Sequence, residues 1–136
     1  MAAVRIPVLI LVVVTGFAGG CATTRGEQGQ RSNLLTRDEI MGAPGAHNLH
    51  DVVQRLRPRW LRVRAGDRSF GMTTQIAVFQ DQTYFGGAEA LRQLGPSTAY
   101  ELLYLDGPTA ASTLSGIPSG MHVGGAIVVV TRRSSY

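Results

Sequence analysis

The first twenty residues determine how much of the chain is left to fold. One basic residue, Arg5, is followed by an apolar run over residues 6–14 and then by the small residues Gly16, Ala18, Gly19 and Gly20. This order of basic, apolar and small residues is typical of a secretory signal peptide. The apolar run is also shorter than the roughly 20 residues that cross a bilayer. We therefore predict that residues 1–20 are a signal peptide.

The residue after this segment, Cys21, is the only cysteine, which excludes an internal disulfide and a multi-thiolate metal site. The segment Ala18-Gly19-Gly20-Cys21 resembles the lipobox of bacterial lipoproteins. The resemblance implies cleavage before Cys21, a diacylglycerol on its thiol and acylation of the new amine. With Ala22 as the next residue, it also implies sorting to the outer membrane. Ordinary signal cleavage that leaves a free thiol is the alternative.

Residues 22–33 contain no aliphatic side chain larger than alanine, and their composition predicts a flexible tether. Twelve such residues have a root-mean-square span of about 20 Å, which keeps a folded domain close to the membrane surface. We therefore divide the chain into a signal peptide (1–20), a lipidated cysteine with its tether (21–33), a folded domain (34–133) and a short tail (134–136).

Composition narrows the class of protein and of partner. The 136 residues are 44% hydrophobic and 16% charged, which is typical of one globular domain. The 13 basic residues exceed the 9 acidic ones, and all 13 are arginine. Because the chain carries an export signal, nucleic acid is not an expected partner. Anionic lipid headgroups, lipopolysaccharide or an acidic protein surface are better candidates.

Two helices are predicted from capping residues and apolar spacing. Thr36 and Glu39 have the spacing of a capping box and predict a short helix there. Farther along, the apolar residues of segment 47–56 recur at helical spacing, which predicts a helix that ends before Pro58.

Strands and a third short helix complete the expected fold. Alternating or continuous apolar patterns predict strands over residues 60–65, 75–79, 99–105 and 124–131, the last of them central. Residues 88–94 are expected to form a short helix, and residues 107–120 a loop with up to one helical turn. The predicted class is α+β, with a three- to four-stranded mixed sheet and two or three short helices.

Four segments match a known pattern in their order and local sequence: residues 36–40 (TRDEI), 48–56 (NLHDVVQRL), 99–108 (AYELLYLDGP) and 124–132 (GGAIVVVTR). Together they resemble the plug domain of TonB-dependent outer-membrane receptors, over about residues 34–133. Asp106 stands where the family usually has arginine. We expect no transmembrane barrel, which needs at least eight strands. The resemblance therefore implies a plug-like domain used alone on a lipid anchor.

The basic segment contains six arginines within fourteen residues: Arg55, Arg57, Arg59, Arg62, Arg64 and Arg68. If residues 60–65 form a strand, Trp60, Arg62 and Arg64 share one face. With Arg59 they form our candidate site for phosphate or carboxylate groups. The alternative is a solvated face whose arginine stems cover apolar surface and stack on Trp60.

Other reactive residue types lack a supporting pattern. His47 and His50 have a spacing that could share a metal ion, but with no third ligand nearby we interpret them as exposed helix residues. No serine lies in a nucleophile motif, and no glycine pair continues into a phosphate loop. Residues 116–125 are either a ligand loop or an ordinary connection. We predict no catalytic residue, metal site or cofactor.

These observations lead to one functional hypothesis with alternatives. We expect a non-enzymatic outer-membrane lipoprotein whose plug-like domain docks onto an envelope protein, an outer-membrane barrel or a ligand. The alternatives are a structural envelope protein that self-associates through a strand edge, a plug supplied in trans to a separate barrel, and an unrecognised hydrolase. Which side of the outer membrane the domain faces is left open.

Overall fold

The computed structural model describes residues 33–64 and 73–132, which form a mixed five-stranded sheet with short helices on both faces. The strands are β1 (Leu34–Leu35), β2 (Thr74–Gln80), β3 (Thr83–Gly87), β4 (Glu101–Asp106) and β5 (His122–Val130). The α-helices are α1 (Arg37–Met41), α2 (Leu49–Leu56) and α3 (Gly107–Thr113), and 3₁₀ helices cover Pro58–Leu61, Ala88–Gln93 and Pro96–Thr98. The predicted α+β class is confirmed. The signal peptide, Cys21, most of the tether, Arg68 and the tail lie outside the described residues.

The sheet is built around β5, as its apolar sequence predicts. The strand order is β1-β4-β5-β2-β3, and β5 pairs parallel with β2 and antiparallel with β4. Residues 123–129 of β5 are all buried. A strand that is covered on both faces needs a continuous apolar run rather than an alternating one, which explains the sequence of this segment.

Successive residues of β2 point to opposite faces of the sheet and so belong to two different cores. Ile76 and Val78 pack with α2 and the Pro58–Leu61 turn, whereas Ala77 and Phe79 lie on the side of α3. The first core is the larger one and contains Trp60.

The predicted capping box is present at the start of α1, and α2 begins with a cap that was not predicted. Before α1, the Thr36 hydroxyl accepts a hydrogen bond from the Glu39 N–H, and the Glu39 carboxylate accepts one from the Thr36 N–H at 2.9 Å. Before α2, the Asn48 side chain accepts from the Asp51 N–H at 2.9 Å. Within the described ranges, no helix is long and apolar enough to cross a membrane.

We expect the capping box of α1 to make stability depend on pH. The hydrogen bond from the Thr36 backbone lowers the pKa of Glu39, and Arg57, whose Nη2 lies 3.2 Å from the carboxylate, lowers it further. Because the folded pKa is below the unfolded one, the stabilisation is complete above the unfolded pKa and is lost as pH falls through the folded pKa. Urea unfolding between about pH 5 and pH 3 should therefore show a smaller loss of stability in Glu39→Gln than in the wild type.

The control for this experiment is Asp38→Asn, on the same helix. The Asp38 side chain makes no hydrogen bond to another described residue, so this variant should retain more of the wild-type pH slope. An equal slope in Glu39→Gln and the wild type would contradict the role of the capping box.

The predicted strand over residues 60–65 is wrong. The chain instead turns through the 3₁₀ helix Pro58–Leu61, where the Trp60 N–H donates to the Arg57 carbonyl at 2.9 Å. Proline is favourable at the start of such a turn because its missing N–H has no partner to lose. The alternation that suggested a strand continues beyond the turn, since Val63 packs on the core while Arg62 and Arg64 are exposed.

Three further elements differ from the prediction. β1 and β3 were not predicted, so the sheet has five strands instead of three or four. α3 is a seven-residue helix where a loop with up to one turn was expected. The α3 helix begins at Asp106, whose carboxylate accepts from the Thr109 N–H at 2.9 Å. The β2–β3 pairing contains a bulge, because Val78 pairs with Gly86 and Phe79 with Tyr84, which leaves Phe85 unpaired.

Candidate functional site: an arginine pocket

The turn after α2 places three arginines around one pocket. Its volume is about 290 Å³, and it is lined by Arg59, Arg62, Val63, Arg64 and Tyr104. Four of these residues come from the chain segment that follows α2, and Tyr104 comes from β4. We call this site the arginine pocket.

An aromatic stack supports the pocket from below. The Tyr104 ring is 6% exposed and stacks on the Trp60 ring, with centroids 5.6 Å apart and planes 18° from parallel. On β5, Gly125 leaves room for this tyrosine, since a Cβ there would lie 2.6 Å from the Tyr104 hydroxyl. The ring is therefore held between a tryptophan and a residue with no side chain.

Trp60 itself does not line the pocket. It is fully buried, so the prediction that it shares an exposed face with Arg62 and Arg64 is wrong. An indole buries a large apolar area, and the Pro58–Leu61 turn directs it into the core instead of along a strand face. Arg59, Arg62 and Arg64, the other three predicted binding residues, do come together.

The arginines of the pocket differ in their partners. Arg59 Nη2 donates to the Asn33 side-chain oxygen at 3.3 Å. Hydrogen bonds from Thr109 lower the pKa of Asp106, and nearby Arg64 lowers it further. Within the described ranges, neither Arg62 nor Arg64 has a carboxylate within ion-pairing distance.

The remaining described arginines of the basic segment have structural roles. Arg55 donates to the carbonyls of Pro44 and Gly45, and Arg57 pairs with Glu39. The structure thus divides the basic segment into two arginines that serve the fold and three that line the pocket. Charge density alone did not reveal this division.

The pocket is suited to bind an anion. Each guanidinium can donate two parallel hydrogen bonds to a carboxylate or phosphate. Because Arg62 and Arg64 are exposed, their attraction to an anion is weakened by salt. Among the described residues that line the pocket, none is a serine, cysteine, histidine or carboxylic acid.

The histidines do not form a second site. His47 is exposed as predicted, but His50 is 7% exposed, so the prediction that it faces solvent is wrong. Its Nε2 lies 3.9 Å from the Glu89 carboxylate, and its Nδ1 has no hydrogen-bond partner. In the part of the chain that the structure describes, no group of three or more His, Cys, Asp or Glu side chains could hold a metal ion.

A second, apolar cavity lies beside α3 and has a volume of about 390 Å³. Its walls include Pro108, Ile117 and Met121, together with His122, whose Nδ1 lies 3.2 Å from the Thr74 hydroxyl. The sequence identified this glycine-rich loop but not its contact with Thr74. A hydroxyl–imidazole pair needs an orienting third group to act as an activated nucleophile, and none of the described residues that line the cavity is an acid.

Comparison of the chain with protein-family models, with curated proteins and with solved structures finds no match in any of the three. The resemblance to the plug domain of TonB-dependent receptors therefore stays a prediction from the four segments that suggested it.

Proposed function

We propose that the protein is a non-enzymatic outer-membrane lipoprotein whose plug-like domain docks onto an anionic component of the cell envelope through the arginine pocket. The observation that carries this proposal is the meeting of Arg59, Arg62 and Arg64 at one pocket, with no carboxylate among the lining residues that the structure describes. Such a site attracts and orients an anion.

The plug-like assignment is supported by the positions of its two most specific segments. Residues 99–108 supply β4 and the start of α3, and residues 124–132 supply most of β5. β4 and β5 pair along their length, from Glu101 with Val130 to Asp106 with Gly125. Asp106, where the family usually has arginine, caps α3 here, so this departure has a local structural role.

The sheet edges favour docking over self-association. At one edge, β1 is only two residues long, and at the other, β3 contains the bulge at Phe85. Short edge strands and bulges are features that limit edge-to-edge pairing of sheets. We therefore prefer a docking module to a structural protein that assembles through strand addition.

The anchor is tested by the intact mass of the tagged protein recovered from envelopes of a Gram-negative host. The expected result is a chain that begins at Cys21 and carries the mass of a diacylglycerol and a further acyl group. Cys21→Ser should lack the added mass and should leave the membrane fraction in a high-salt wash, because two or more acyl chains are needed for stable attachment and salt weakens the attraction between exposed charges. An unmodified Cys21 on a protein found outside the membrane would contradict the proposal.

A further inference from the structure

We infer that the arginine pocket binds phosphate headgroups of the membrane to which Cys21 attaches the chain. This inference rests on the proposed function and names the anionic component in it. Membrane attachment would then use two signals, the acyl chains and a basic site on the folded domain.

The first argument is the position of the pocket relative to the start of the described domain. Asn33, the first described residue, contacts two of the residues that line the pocket. Its side-chain oxygen accepts from Arg59 at 3.3 Å, and its carbonyl accepts from the Tyr104 N–H at 2.8 Å. The chain that leads back to Cys21 therefore leaves the domain at the pocket and not on its far side.

The second argument is the distance that the chain between Cys21 and the arginine pocket can span. Residues 22–33 connect Cys21 to the edge of the pocket. If they form the flexible tether that their composition predicts, twelve residues would span about 20 Å when relaxed, and about 40 Å when fully extended. An acylated Cys21 lies at the membrane surface, so the pocket can contact headgroups without stretching the tether. The anchor also keeps the local concentration of headgroups high, which favours lipid over a protein that must diffuse to the site.

The third argument is chemical. Arg62 and Arg64 are exposed and have no carboxylate partner among the described residues, so binding a phosphate breaks no existing ion pair there. Guanidinium groups fit phosphate oxygens with paired hydrogen bonds. With Tyr104 and Val63 as the other lining residues, the arginines are the charged groups among the described residues of the pocket.

The test uses the chain from residue 21 onward, which contains every element of the described sheet, with Cys21→Ser so that no acyl chain contributes. Cosedimentation is measured with vesicles of phosphatidylcholine mixed with phosphatidylglycerol and with vesicles of phosphatidylcholine alone. The pocket variant is Arg62→Gln/Arg64→Gln. The control, Arg92→Gln/Arg132→Gln, removes the same charge from positions that do not line the pocket.

The expected result is binding to the anionic vesicles only. Each basic residue near an anionic surface contributes about fivefold to binding, so the pocket variant should bind at least about tenfold more weakly and the control less than about threefold. Circular dichroism spectra and thermal unfolding of both variants verify that they are folded.

Three results would overturn the inference. One is the absence of wild-type binding to anionic vesicles, including the case in which an acidic envelope protein binds the pocket instead. Another is an equal loss in both double variants, which would indicate nonspecific attraction. The third is binding of inorganic phosphate, followed by shifts of pocket resonances, without binding to vesicles. None of these three results depends on the acylation state of Cys21. Failure of the headgroup-binding inference is therefore distinguishable from failure of the anchor proposal.

Discussion

Trp60→Ala is expected to lower the free energy of unfolding by about 3–5 kcal/mol, the usual range for removing a buried tryptophan. Trp60 is fully buried in the larger core and stacks on Tyr104. The loss combines the buried apolar area, the ring contact and the cavity that remains. Because domains of this size are stable by only about 5–15 kcal/mol, a large part of the total would disappear. Urea unfolding followed by far-UV circular dichroism measures the change.

Trp60→Phe is the matched control for this substitution. It keeps an aromatic ring against Tyr104 and should lose clearly less stability than the alanine variant. An exposed Trp60 that served as a ligand contact would give a different result, since exposed positions usually change stability by less than about 0.5 kcal/mol. A change that small in Trp60→Ala would contradict the buried position.

Gly125→Ala is expected to destabilise the protein by about 2–3 kcal/mol, at the upper end for adding a methyl group to a packed core. The new Cβ would lie 2.6 Å from the Tyr104 hydroxyl and 3.0 Å from its ring. Tyr104 cannot move away easily because Trp60 stacks on it. The same displacement would disturb the floor of the arginine pocket, so thermal unfolding and vesicle binding should both be measured.

Gly95→Ala separates this packing effect from the general effect of replacing glycine. Gly95 has φ −74° and ψ 153°, which alanine adopts readily, and the nearest atom to a Cβ there is 3.9 Å away. This variant should be neutral or up to about 1 kcal/mol more stable. Equal stability of Gly95→Ala and Gly125→Ala would show that Tyr104 does not pack closely on Gly125.

The elements that were predicted correctly are those whose signals are local. The capping box at Thr36, the apolar spacing in α2 and the continuous apolar run of β5 each lie within one short segment. Each of these sequence patterns reflects the backbone hydrogen bonds and the burial of the element in which it lies. In these three segments the rest of the structure agrees with the local pattern.

The wrong and missing predictions concern positions whose structure depends on residues far away in the sequence. Whether Trp60 points into the core or into solvent depends on Tyr104, which comes from β4. β3 was missed because two glycines and a bulge hide its pattern. The basic segment could be found from charge density, but the contact of its pocket arginines with Tyr104 could not, since no local pattern links residue 104 to the basic segment.

The strand order has a consequence for when this chain can fold. β5 is the last strand of the described part, yet it separates the β1–β4 pair from the β2–β3 pair. Until residues 122–130 are available, the two pairs have no strand to join them. Contacts between segments far apart in sequence form late, because closing the intervening loops costs entropy. A chain that is threaded through a translocation channel with its N-terminus first would thus stay unfolded until nearly the whole domain has crossed.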